Sequence, residues 1–183
     1  MNDLGFALRT ELRAERDALI GAFRNGGAVR ALLHGLTACT DRLLRRIVRH
    51  HGLQDATDVI AVGGYGRGAL FPHSDVDILI LHAPDLPGEV SGRIEALIGQ
   101  LWDLGLHVGH SVRTVHECRE EARRDITVLT SMLESRLISG PRRLYHEFDA
   151  AIVEVLDSPT FFRCRSRERI SRPTASSTDM RRR

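Results

Sequence analysis

The stretch that most constrains the fold runs from Asp58 to Leu81. It opens on a short β-branched run, Val59 to Val62, which reads as a buried strand. It then breaks into four glycines within six residues (Gly63, Gly64, Gly66, Gly68) and returns as a second strand, Val76 to Leu81. Asp75 and Asp77 stand one residue apart where that second strand begins. Strand side chains alternate between faces, so two carboxylates at this spacing point the same way and can share one divalent cation. Magnesium suits such a pair, because it is a hard ion held by one or two carboxylates plus phosphate oxygens. The glycines answer a second need: a triphosphate is cradled by closely approaching backbone N–H groups, where a Cβ would intrude. Ser74 adds a hydroxyl and Arg67 a fixed positive charge whose fork matches phosphate. The expected site is therefore Asp75 and Asp77 for metal, with Gly63, Gly64, Arg67 and Ser74 around the phosphates. The competing roles are a hairpin loop needing positive φ for the glycines, a turn cap for Asp75 and a strand-edge surface position for Asp77.

These residues carry a family resemblance. Gly63-Gly64, a gap, then Ser74-Asp75-Val76-Asp77 between apolar residues resembles the signature of the polymerase-β-like nucleotidyltransferase superfamily. The fuller string from Val62 through Tyr65-Gly66-Arg67-Gly68-Ala69-Leu70-Phe71-Pro72-His73 to Asp77 resembles one branch, the bacterial PII-protein uridylyltransferases. Leu101 to Leu106, Val108 to Thr114 and Asp125 to Val128 resemble the same branch. The likeness extends over roughly residues 30 to 163.

The resemblance implies an α+β fold, a polymerase-β-like core of a small mixed sheet flanked by helices, with further helices at both ends. It implies transfer of UMP from UTP to a tyrosine hydroxyl of the PII signalling protein, with Mg²⁺ as cofactor and Asp75 and Asp77 as catalytic metal ligands. It places Ser111 near a ribose hydroxyl and Arg113 near a phosphate or the base. The superfamily adds a third carboxylate from a neighbouring strand, but here the matching triplet is Leu106-His107-Val108. Imidazole is a poorer magnesium ligand than an anionic oxygen. The third ligand is then Glu134 or Asp125, or lies in sequence this chain lacks, or the second metal is loosely held. The family continues into more nucleotidyltransferase sequence, a phosphohydrolase domain and regulatory domains; none is visible, so the chain reads as truncated and uridylyl removal is not expected. Two other readings stay open: a nucleotide- or partner-binding module that turns nothing over, and a transferase with a different acceptor.

Composition narrows the class. The 183 residues, 42% hydrophobic and 27% charged, suit one soluble domain with a core of its own. No apolar run approaches the roughly 20 residues that span a bilayer, and the start lacks a basic segment followed by an apolar one; a cytoplasmic location is expected. Cys39, Cys118 and Cys164 are too few and too scattered for a disulfide framework or a zinc site. Of the 26 basic and 24 acidic residues, seven arginines and two acids lie in 164–183, so the remainder is mildly acidic and nucleic acid is not an expected partner.

The organisation expected is an N-terminal helical segment (1–52), a nucleotidyltransferase core (53–163) and a basic, disordered tail (164–183). Residues 4 to 24 carry Leu4, Leu8, Leu12, Leu19 and Phe23 at helical spacing, and Gly26-Gly27 stops them. Val29 to His50 repeats the pattern, with Arg42, Arg45, Arg46 and Arg49 on a solvated face. Glu89 to Leu104 reads as a helix burying Ile94, Leu97, Ile98, Leu101 and Trp102. Leu106 to Thr114 reads as a strand with His107, Gly109, Ser111 and Arg113 on the face toward the metal. His110 is expected in the core and His73 exposed. Val115 to Gly140 reads as two helices, the second capped by Asp125 or Thr127 and carrying Glu134 and Arg136 as packing and surface charge. A last helix covers Pro141 to Leu156.

Overall fold

The computed structural model of the protein describes residues 3–157, with side chains from residue 5 onward. The tail reading for 164–183, with Cys164, lies outside the described residues. Helix α1 (Asp3–Arg24) is followed by α2 (Val29–His50), β1 (Asp58–Ala61), the short α3 (Gly63–Gly66) and β2 (Val76–Leu81). Then come α4 (Gly88–Asp103), β3 (Val108–Arg113), α5 (Val115–Arg124), α6 (Ile126–Leu133), β4 (Arg136–Ser139) and α7 (Arg143–Asp157). The four strands form one sheet in the order β3-β2-β1-β4. β1 is antiparallel to β2 and β4, whereas β2 and β3 run parallel. This is the small mixed sheet flanked by helices that the resemblance implies.

The two central strands are buried on both faces, which is why they read as nearly continuous apolar runs. Val59, Ala61, Val76, Ile78 and Ile80 point to one face and pack with Leu8 and Leu12 of α1, Leu36, Leu43, Leu44 and Ile47 of α2, and Ile94, Leu97 and Leu101 of α4. Ile60, Leu79 and Leu81 point to the other, against Cys118, Leu129, Met132, Phe148 and Ile152 from α5, α6 and α7. Asp77 is the one residue of β2 that is not fully buried. It stands on the α5–α7 face, where the apolar layer stops short of the strand's first residues. Both Cys39 and Cys118 are buried free thiols, and burial pushes each pKa up. Among the described residues no helix is long and apolar enough to cross a membrane.

Several expectations need correction. Residues 136–139 form β4, which pairs with the edge of β1, because Leu137 and Ile138 alternate against a sheet that had one edge left to fill. Helical periodicity had absorbed this short segment into α6. Phe23 is 41% and Trp102 57% exposed: Phe23 lies in the last turn of α1, and Trp102 lies against the edge strand β3, beyond which no further strand covers it. His110 is exposed as well, because β3 is the sheet's edge strand; it meets Trp102 edge-on, ring centroids 5.6 Å apart. The arginine face of α2 is not simply solvated. Arg42 pairs with Glu15 and Arg46 with Glu11, both of α1, at 2.5 Å, while Arg45 donates to the Ile138 carbonyl of β4 at 2.9 Å.

Candidate active site

The turn between β1 and β2 leaves the sheet at Val62, whose N–H donates to the Asp77 carbonyl, and closes at once into the single helical turn α3. Two of its glycines have positive φ, Gly63 at 56° and Gly68 at 74°, a region that side chains with a Cβ rarely enter. Gly66 serves packing: a methyl there would lie 1.6 Å from the Glu134 carbonyl oxygen. The glycine run thus divides its work, and only Gly63, Gly64 and Gly68 are free of that packing demand.

Asp77 sits between two glycines. A Cβ on Gly63 would come 3.8 Å from Asp77 Oδ2, and one on Gly109, its partner across β3, 2.2 Å from Oδ1. The register sets Asp77 beside Gly109 and Val76 beside Val108, and Val76 N–H donates to the His107 carbonyl at 2.8 Å. Partial burial raises the Asp77 carboxyl pKa above the ordinary range, and the Asp75 charge raises it further. Two carboxylates that repel each other at a strand end, with glycines on both sides, form a hard oxygen donor set that suits a divalent cation. The fit ends at two: among the described residues no three His, Cys, Asp or Glu side chains gather closely enough to hold a metal. His107 is exposed. The Asp125 carboxylate caps α6, accepting from Thr127 N–H at 2.7 Å, which lowers its pKa. Glu134 is engaged by Arg67 at 2.5 Å.

The remaining predicted residues divide. Gly63, Gly64 and Arg67 lie together, with an Arg67 amino nitrogen 3.5 Å from where a Gly64 Cβ would stand. The pairing with Glu134 raises the Arg67 pKa. Ser74 is exposed and lines an open cleft with Arg9, Arg13, Arg16, His73 and His107. Ser111 and Arg113 share the Asp77 face of the sheet but lie opposite Leu79 and Leu81. At about 3.3 Å per residue they stand roughly 7 and 13 Å further along the strand than Gly109. Arg113 ends near Glu121 of α5, at 3.9 Å.

Sequence reasoning missed three residues here. Ser131 of α6 brings its hydroxyl to 3.3 Å from a Cβ position on Gly63, beside Asp77. Arg136 was expected on a helix as packing and surface charge and Asp41 was not singled out, yet they meet beneath the turn: both Arg136 amino groups donate to Asp41, at 2.6 and 3.1 Å. No local pattern announces a contact across 95 residues.

A strand, a glycine turn and a strand-end carboxylate pair, in this order and on one sheet, match the nucleotidyltransferase domain profile over residues 41–134. The chain belongs to the nucleotidyltransferase domain family. Among curated relatives this nucleotidyltransferase domain is 45% identical over 154 residues to a bifunctional uridylyltransferase/uridylyl-removing enzyme of Burkholderia orbicola, covering 84% of this chain. It is 45% identical over 157 residues to the enzyme of the same name from Burkholderia thailandensis. The chain spans 18% of the length of each of these relatives. A chain in a solved complex of tri-AMPylated Shewanella oneidensis HEPN toxin with MNT antitoxin aligns over 73% of this domain and 98% of that chain, at 12% identity and a TM-score of 0.44.

Proposed function

We propose that this domain transfers UMP from UTP to a tyrosine hydroxyl of the PII nitrogen-regulatory protein in the cytoplasm. The observation that carries the reading is the carboxylate pair Asp75 and Asp77 at the glycine turn, in a chain 45% identical to named uridylyltransferases. In the reaction the tyrosine oxygen bonds to the α-phosphorus, the bridge to the β-phosphate breaks, the phenolic proton is released, and pyrophosphate leaves with the electron pair. Asp75 and Asp77 would hold Mg²⁺, which supplies charge neutralisation on the phosphate oxygens. The chain's own contribution is placement. Gly63 and Gly64 admit the phosphates close to backbone, Ser74 offers a hydroxyl donor and Arg67 a guanidinium. Arg67 is held by Glu134 and is released to a phosphate only by exchanging one anion for another.

A second reading has a specific observation in its favour. With two carboxylates gathered and His107 exposed, the donor set is one short of a full two-metal site. The domain would then bind nucleotide without turning it over.

The test is transfer of labelled UMP from UTP to purified PII protein with magnesium, run beside Asp75→Asn/Asp77→Asn. The expected result is labelling that the double variant abolishes. Labelling that survives the double variant rejects the metal assignment. Labelling from ATP alone rejects the uridylyl assignment, and magnesium-dependent UTP binding without transfer selects the second reading.

A further inference from the structure

Four glycines in six residues leave the turn 63–68 with little conformational preference of its own. The backbone bonds that close it are Gly66 N–H to the Val62 carbonyl, Arg67 N–H to Gly63 and Gly68 N–H to Tyr65. Of its two large side chains, Arg67 reaches outward to Glu134, and Tyr65 is the one that is buried, at 1% exposed. Its hydroxyl donates to Asp41 Oδ1 of α2 at 2.6 Å. The same carboxylate receives both amino groups of Arg136 from β4, and the Arg136 guanidinium lies over the Tyr65 ring at 5.5 Å from its centroid. One turn of helix earlier on the same face of α2, Thr37 Oγ1 accepts from Leu70 N–H at 3.0 Å, and Arg16 of α1 donates to the Pro72 carbonyl. α2 and β4 thus grip the turn at Tyr65, and α2 and α1 hold the segment that follows it at Leu70 and Pro72.

A buried carboxylate paired with a half-buried guanidinium is a costly way to fill space, since well-packed apolar side chains of similar size are often at least as stable. Arg136 Nε is moreover buried without a partner. A pair of this kind carries direction that apolar packing lacks, and here the direction ends on the glycine turn. We propose that Asp41, with Arg136 and Thr37, is a positioning set that holds the turn in the conformation where Gly63 stands beside Asp77. Asp41 is buried and acts through Tyr65. This deepens the function proposed above and rests on it for the identity of the ligand.

The test compares the 183-residue chain with Asp41→Asn and Tyr65→Phe, the second of which keeps the ring and its packing while removing one hydrogen bond. Three quantities are read: the thermal midpoint, the dissociation constant of magnesium UTP, and the amide resonances of the glycines. Gly63, Gly64 and Gly68 report on the turn, whereas Gly92 and Gly99 of α4 report on the fold as a whole. The expected result is that turn resonances shift or broaden in both variants while those of α4 stay in place, and that the dissociation constant rises about tenfold. Turn resonances that stay put in Tyr65→Phe, or that move only together with those of α4, overturn the proposal. Wild-type protein that binds no nucleotide defeats the functional reading, and the glycine resonances then decide the positioning role alone. An Asp41→Asn chain that fails to fold leaves the decision to Tyr65→Phe.

Discussion

Gly109 faces Asp77 across the parallel pair β2–β3, so closely that a methyl on Gly109 would lie 2.2 Å from Asp77 Oδ1. The carboxylate of a short side chain cannot yield that distance without turning away from its present position. Gly109→Ala is therefore expected to move Asp77 while leaving the sheet paired. Transfer activity should fall at least tenfold, with the thermal midpoint changed by no more than about 3 °C. Steady-state kinetics beside a thermal melt check this, and undiminished activity would show that Asp77 is not needed where it stands.

Asp77 also carries a stability cost. Its carboxylate is partly desolvated and repelled by Asp75. In magnesium-free buffer at neutral pH, Asp77→Asn should melt about 1–2 °C above wild type, the effect of a few tenths of a kcal/mol in a chain of this size. Added magnesium should raise the wild-type midpoint more than the variant's. Equal magnesium responses would argue that no cation is held there.

Gly66 allows no side chain. With the Glu134 carbonyl 1.6 Å from its Cβ position, Gly66→Ala must push backbone against backbone between α3 and the C-terminal end of α6. A loss of roughly 3 kcal/mol or more is expected in urea denaturation. Gly68→Ala, which meets nothing within 4 Å but must keep φ at +74°, should cost only about 1 kcal/mol.

Asp58 anchors the last helix. Fully buried at the start of β1, it accepts the N–H groups of Arg142 and Tyr145 at 2.8 Å each, and so supplies the cap that the first turn of α7 would otherwise lack. Asp58→Ala removes the acceptor of both N–H groups, and a loss of about 2–4 kcal/mol is expected in the same assay.

The start of α5 gives a pH signature. Thr114 and Glu117 form a reciprocal capping box, and the Thr114 N–H and hydroxyl hold the Glu117 carboxyl below its usual range. A lowered folded pKa means stability that is fully present above the unfolded value of about 4.3 and is lost as pH falls through the folded one. Glu117→Gln should therefore melt below wild type at pH 7, and the difference should close once the pH has fallen below the lowered folded value. A difference that persists in acid would assign the effect to packing rather than charge.

How much of this was legible beforehand follows from the range over which each cause acts. Helices α1, α2, α4 and α7 announce themselves because burial on one face imposes a period of 3.6, and the central strands because burial on both faces imposes an apolar run. The carboxylate pair and the glycine turn are equally local: two residues of spacing and six residues of composition suffice to mark them. β4 was hidden because four residues fit either period, and only the free edge of β1 decided for a strand. Trp102 and His110 came out exposed because the sheet ends at β3, a fact of strand order rather than of sequence pattern. The Asp41–Arg136–Tyr65 contact, the demand on Gly66 and the place of Ser131 beside Gly63 join residues far apart in the chain. The sequence by itself determined which residues are chemically able to hold a metal and a phosphate. The tertiary structure alone decided which of them meet, because side-chain placement across a sheet depends on register and strand order, neither of which any single segment encodes.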